Sequence, residues 1–212
     1  LADNLARLER TARTLSRTAL HRKPGIHLPG LILVTDPART PDPVALAKVL
    51  PRGSCVIYRP FGEAGARKTA RKLARIAKTR GLVLLIGSDA VRVAGAGVHL
   101  PERLAHRAGA IMRARPGVLV TAAAHSLSAA LKARRCGADA VLLSTVFKSK
   151  SPSAGQPLGP VRFAALVRAA GLPVYALGGV KTKNAPRLLG SGAAGLAMVE
   201  GLAHALKQRE AR

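Results

Sequence analysis

Aromatic side chains are nearly absent from this chain, which has three Phe, two Tyr and no Trp among its 212 residues. A surface that holds single-stranded nucleic acid by stacking its bases has little to build with here. The core must be filled by Ala, Leu and Val, a supply that suits helices packed on a parallel sheet. Acids are scarce as well: ten Asp and Glu face 35 Lys and Arg, a formal net charge of +25. Such a field attracts anions, whether phosphorylated metabolites or nucleic acid, without choosing between them, and a solvated basic surface is the plainer reading. The two cysteines, Cys55 and Cys136, lie far apart in or beside apolar runs, with no Cys-x-x-Cys spacing and no His near them in sequence. They read as buried free thiols in a reducing compartment, and a structural zinc site has almost no support. No apolar run approaches the ~20 residues of a membrane span, so a soluble, cytoplasmic protein is expected.

What is present is 48% hydrophobic residues, enough for one sizeable core. Residues 1–30 form a basic leading helix and linker: Leu5, Leu8, Ala12, Leu15 and Ala19 recur at helical spacing, Asp3 is a candidate N-cap, and Pro24 and Pro29 mark the linker. An Arg-rich leader also suits a targeting peptide or an RNA contact, but Glu9 interrupts it and packing on the domain is the preferred reading. From Leu31 to Arg212 strands and helices alternate. The strand candidates are LILVTD (31–36), SCVIYR (54–59), LVLLIG (82–87), GVHLP (97–101), VLVTAAA (118–124), AVLLSTV (140–146), PVYALGG (173–179) and GLAMV (195–199). A helix is expected over about 65–80, its Ala66, Ala70, Leu73, Ala74 and Ala77 inward and its Arg and Lys outward, and a very short helical piece between the third and fourth strands. About eight right-handed strand–helix units close into a (β/α)8 TIM barrel, with an open doubly wound sheet as the alternative.

In such a barrel ligands gather where strands end, and the loops after the seventh and eighth strands make a recurring phosphate site. Those loops supply Gly178, Gly179 and Val180, then Val199, Glu200 and Gly201. Glu200 is discordant there unless it points away or pairs with Lys181. Lys148, Ser149, Lys150 and Ser151 leave the sixth strand and add charge and hydroxyl donors for a phosphate or diphosphate. His125 directly follows the fifth strand and is the best general acid–base candidate, with a helix-capping or packing role as the other reading. His99 reads as a core histidine. Arg59 suits a second anionic group, Asp89 either a magnesium ion or the neutralisation of Arg59, and Asp36 either a site or a turn.

LILVTD, GVHLP, AAHSLSAAL, GADAVLLSTVFKSKSPSAGQPLG and PVYALGGVKTKNAPRLLGSGAAGLAMV together resemble the thiamine-phosphate synthase and thiazole tautomerase (TenI-like) superfamily, from about Leu31 to Gly201. The resemblance implies a barrel in thiamine biosynthesis whose partner is a small phosphorylated thiazole or pyrimidine, with a homodimer as a compatible assembly. The synthase branch couples hydroxymethylpyrimidine diphosphate to a thiazole phosphate with Mg2+. Its Gln-x-Arg-x-Lys motif falls here on Ile57, Arg59 and Phe61, and its Asn-Asp on Ser88 and Asp89. Its Gly-Gln-Glu-Asp falls on Pro101, Glu102, Arg103 and Leu104, leaving Asp89 and Glu102 as the metal carboxylates; Ala123, Ser149, Ser151 and Pro152 replace further polar groups. The tautomerase branch asks for a Val-Phe-Lys-Thr loop, matched by Val146 to Ser149, and for the histidine at His125. A thiazole-phosphate binder that isomerises its ligand is therefore the leading expectation. A divergent synthase comes second, and a non-catalytic regulator binding a phosphate ligand or nucleic acid third.

Overall fold

The computed structural model describes residues 2–149, 151 and 154–210, with side chains from Asn4 to Ala205 within those limits. Lys150 and Pro152 lie outside the described residues, as does the side chain of Asp3. Eight parallel strands pair in chain order: β1 (Leu31–Val34), β2 (Cys55–Tyr58), β3 (Val83–Gly87), β4 (Gly97–Leu100), β5 (Val120–Ala124), β6 (Ala140–Leu143), β7 (Val174–Ala176) and β8 (Gly195–Met198). The last returns to the first, Leu31 opposite Leu196, and closes the barrel. Ile32 and Val34 face the barrel interior beside Ile57, Leu85 and Leu142, while Leu31, Leu33, Val56 and Leu84 face the surrounding helices. Burial on both faces is why the strands read as unbroken apolar runs. Six of the eight runs outlast their strands, because their final residues leave the ladder to build the rim; those of β3 and β5 end with the strand.

The helices are α1 (Ala2–Arg17), α2 (Pro43–Val49), α3 (Ala66–Arg80), α4 (Ala108–Ala114), α5 (Leu127–Arg135), α6 (Gly159–Ala170) and α7 (Glu200–Glu210). Local chemistry sets several of their ends. The Asp42 carboxylate accepts the Ala45 N–H at 2.8 Å, and Pro43 opens α2. The Ser126 hydroxyl caps α5 through the Ala129 N–H, and Gly137 beyond Cys136 has the positive φ of a helix stop.

Two connections differ from a regular barrel. Where a short helix was expected between β3 and β4, the described residues 88–96 form turns, with Ser88 and Asp89 at φ 60° and 56°. Between β7 and β8 there is only a 3-10 turn, Ala185–Leu188. Helix α1 contacts that turn, β8, β1 and α7, burying Leu5, Leu8, Ala12 and Leu15. It covers strands that a full-length helix would otherwise cover, and its Arg10, Arg13 and Arg17 stay exposed. The linker then crosses the barrel floor. The Leu20 N–H donates to the Gly192 carbonyl, and Lys23 pairs with the fully buried Asp139, which also accepts the Val120 N–H at 2.8 Å. Cys55 is buried in the interior and its thiol pKa is pushed up by burial, whereas Cys136, expected to be buried, is partly exposed. Among the described residues no helix is long and apolar enough to cross a membrane.

Candidate active site at the carboxyl rim

A cavity of about 240 Å³ opens at the carboxyl ends of β1, β2, β6, β7 and β8. Its back wall is the turn after β7. There the carbonyls are consumed internally: Leu177 and Gly178 accept the N–H groups of Val146 and Phe147 at 3.0 Å, and Gly179 accepts Asn184 Nδ2 at 2.9 Å. The N–H groups of Gly178, Gly179 and Val180 donate to no group among the described residues. Helix α7 begins beside them at Glu200, and a helix start leaves its first N–H groups unpaired. A Cβ on Gly201 would stand 2.5 Å from the Val180 carbonyl oxygen, so the two turns are in contact. Spent carbonyls and unspent amides on one wall make a cradle for an anion.

The structure brings Gly178, Gly179, Val199, Glu200, Gly201, Arg59, Lys148, Ser149 and Ser151 around this single cavity. Gly179 has a φ of +64°, and a Cβ there would meet the Phe147 and Lys148 carbonyl oxygens at 2.4 and 2.5 Å. Gly179→Ala is therefore expected to lower the unfolding free energy by about 2–4 kcal/mol in urea titration, from positive-φ strain and overpacking together. It is also expected to weaken binding of inorganic phosphate at least tenfold by calorimetry. Gly195→Ala, crowded at 2.2 Å by the Gly30 carbonyl oxygen and absent from the cavity wall, should cost stability alone. Equal phosphate affinity in the Gly179→Ala protein would remove the cradle.

Across the cavity Arg59 extends from the end of β2. Its Nε donates to the Thr35 carbonyl at 2.7 Å and its N–H to Thr35 Oγ1 at 2.9 Å. One terminal nitrogen is buried without a hydrogen-bond partner among the described residues, 3.6 Å from Asp36 Oδ2. Burial lowers the Arg59 pKa, opposed by the Asp36 charge. Asp36 is a turn residue that stays off the cavity wall: its carbonyl accepts the Arg39 and Thr40 N–H groups, and its carboxylate holds Arg39, a wall residue, at 2.8 Å. That hydrogen bond is the main reason its pKa lies below the usual carboxylate range. Arg39 also lines the cavity and was missed from the sequence; its three-residue spacing from a strand-end Asp was the available signal. It approaches Glu200 at 3.9 Å, so Arg39 rather than Lys181 offsets that carboxylate.

His125 does not line this cavity. It stands just beyond Ala124, whose carbonyl accepts the N–H of Ser144, a wall residue. Ser126 supplies the helix cap and the His125 side chain is 49% exposed, so neither the capping nor the packing role applies. Its Nδ1 lies 2.7 Å from Glu102 Oε2, which also accepts the His125 N–H at 2.9 Å. His99 is a core histidine, as expected.

Both carboxylates assigned to a metal are otherwise engaged. Asp89 accepts from Arg115 at 2.8 Å, lies 3.5 Å from Arg92 and is neither on the cavity wall nor paired with Arg59. The positive φ at Ser88 and Asp89 turns the chain there, where no covering helix follows β3. Glu102 serves His125. Mg2+ beside a diphosphate needs one or two free carboxylates facing the ligand, and Asp89 and Glu102, held by Arg115 and His125 and both off the cavity wall, do not fit that role as they stand.

Residues 31–202 match the family model for thiamine monophosphate synthase (TMP-TENI). The thiamine-phosphate synthase of Chlorobium luteolum is 32% identical over 198 residues, 87% of this chain and 90% of that protein. The thiamine-phosphate synthase of Alcanivorax borkumensis is 32% identical over 203 residues, 86% of this chain and 87% of its own length. The solved thiamine phosphate pyrophosphorylase of Pyrococcus furiosus shares the fold with a TM-score of 0.67 at 19% identity, over 84% of this chain and 95% of that one. With its family match spanning all eight strands, the chain belongs to the thiamine monophosphate synthase family.

Proposed function

We propose that this chain binds a thiazole phosphate with the phosphate in the rim cavity and the ring reaching past Ser144 to His125 beyond the cavity wall, and isomerises it, with His125 moving the proton. The observation that carries the reading is the wall of unspent N–H groups at Gly178, Gly179 and Val180 against the start of α7. A phosphate monoester satisfies those donors, and Lys148 and Ser149 stand on the same cavity to meet its remaining oxygens. Arg59 across the cavity, whose buried terminal nitrogen makes no hydrogen bond among the described residues and lies 3.6 Å from Asp36 Oδ2, is the cation placed to meet a carboxylate on the ligand's ring. Glu102 accepts from His125 Nδ1, which assigns the proton to that nitrogen and leaves Nε2 to take a ring proton and return it elsewhere on the ring. Isomerisation asks for no metal, in keeping with carboxylates already committed to Arg115 and His125.

The second reading is coupling of hydroxymethylpyrimidine diphosphate to thiazole phosphate, favoured by the names that the relatives carry. Two assays on the purified chain separate the readings. Thiazole carboxylate phosphate is followed for interconversion of its tautomers, and the two synthase substrates with Mg2+ are followed for thiamine phosphate. Tautomer interconversion well above the buffer rate is the expected result. Thiamine phosphate formed at the faster rate of the two would overturn it.

A further inference from the structure

Helix α3 carries a charge pattern that its own stability does not explain. It buries Ala70, Leu73 and Ala77 against the barrel, and exposes Arg67, Lys68, Arg71, Lys72, Arg75 and Lys78. At 100° per residue those six cations fall within an arc of about 140° facing away from the buried stripe. The helix contains no acid, and none of the six side chains makes a hydrogen bond or ion pair among the described residues. Arg67–Arg71, Lys68–Lys72 and Arg71–Arg75 are like-charge pairs at the spacing where such pairs destabilise a helix. Arg67 and Lys68 also sit in its first turn, at the positive end of the helix dipole. Neighbouring α2 adds exposed Lys48, and the loop after it Arg52. Two acids flank this face, Asp42, which caps α2, and Glu63, which accepts from the Tyr58 hydroxyl, and their two charges stand against eight cations, the six of that arc with Lys48 and Arg52.

We infer that the outer face of α3 docks on the phosphate backbone of double-stranded DNA. An uncompensated cationic arc about 20 Å long matches a regular lattice of phosphates, and the helix with its side chains has the width of the B-form major groove. The A-form RNA groove is too narrow to admit it, and no exposed aromatic side chain lies on the helix to stack unpaired bases. A lipid surface is the weaker match, because α3 has already spent its apolar stripe on the barrel and has none to bury in a bilayer. This surface is separate from the rim cavity, and none of its cations lines that cavity.

The test is fluorescence anisotropy of the full chain with a labelled 24-base-pair duplex of mixed sequence across a NaCl series. The wild-type chain is expected to bind with a log–log salt slope of about −4 or steeper. The triple change R67Q/R71Q/R75Q should weaken binding more than tenfold at fixed salt and make the slope shallower by about 2 to 3. R10Q/R13Q/R17Q removes the same charge from α1 and should cost less than threefold. R67K/R71K/R75K keeps the charge and should keep the binding. Glutamine favours helix and relieves the like-charge pairs, so the α3 variant should melt no lower than wild type; should it melt lower, the α1 and lysine triples still decide. Equal losses from the α1 and α3 triples, loss of binding in the lysine variant, a slope shallower than −1, tighter binding of single strands or RNA duplex, or α3-dependent capture by phosphatidylserine vesicles in place of DNA would each overturn the inference.

Discussion

Acidification from pH 6.5 to pH 3 is expected to remove on the order of 5 kcal/mol of stability through His99 alone. The residue lies on β4, 6% exposed, with Nδ1 bonded to Thr121 Oγ1 at 2.9 Å. Burial depresses its pKa to about 3, with the nearby Arg59 charge as the smaller cause. The folded protein therefore keeps this imidazole neutral while the unfolded chain protonates it near pH 6.5. Below that value the unfolded state binds the extra proton, so stability falls as pH falls, and it stops falling through this residue only below about pH 3. The carboxylates complicate the lower part of the range: Asp36, whose pKa is lowered chiefly by its hydrogen bond from Arg39, gives stability that is lost as acid protonates it below the ordinary carboxylate value. The clean window is pH 6.5 to 4.5, where His99 contributes about 2–3 kcal/mol. Urea midpoints across that window should drop in the wild-type chain and flatten in His99→Gln. Parallel curves for the two proteins would show that the histidine is hydrated in the fold.

Much of this arrangement was legible because the barrel imposes one rule on every strand. A run buried on both faces is apolar except where polar groups satisfy each other, as His99 and Thr121 do, and where it stops the rim begins; that logic put Gly178, Gly179, Val199 and Gly201 together from chain position alone. Pairings made between distant loops were not legible. Arg59 is held by Asp36 after β1, Asp89 by Arg115 before β5, and Glu102 by His125, each contact joining loops that lie far apart in sequence. A single carboxylate after a strand reads the same whether it will meet a metal, an arginine or a histidine. The β3–β4 connection was misread for a related reason: nine residues between strands look long enough for a helical turn, but Ser88 and Asp89 adopt left-handed conformations that start a turn instead. The leading helix was recognised by its spacing, whereas its place over the short β7–β8 connection depended on a helix that the chain does not have there.

His125→Ala is expected to lower kcat for the proposed thiazole isomerisation by about 10²–10⁴-fold, the usual contribution of a positioned acid–base group. KM should change little, because the phosphate cradle is built from backbone on other strands and survives the substitution. Gly179→Ala should show the converse, a raised KM from a damaged cradle with the imidazole untouched. The two variants thus separate binding from proton transfer, and full activity in His125→Ala would end the role given to it. Glu102 acts through that imidazole. Loss of one charge-assisted hydrogen bond, about 1.5 kcal/mol, predicts roughly a tenfold fall in kcat for Glu102→Gln, since the amide still accepts from Nδ1 but no longer stabilises the imidazolium. A metal-binding carboxylate at the same position predicts something different: activity that depends on Mg2+ in the wild type and is partly restored by excess Mg2+ in the variant. For an orienting carboxylate the loss should be the same with Mg2+ or with a chelator. The observed contact favours orientation, because one Glu102 oxygen already takes both the backbone N–H and the Nδ1 of His125.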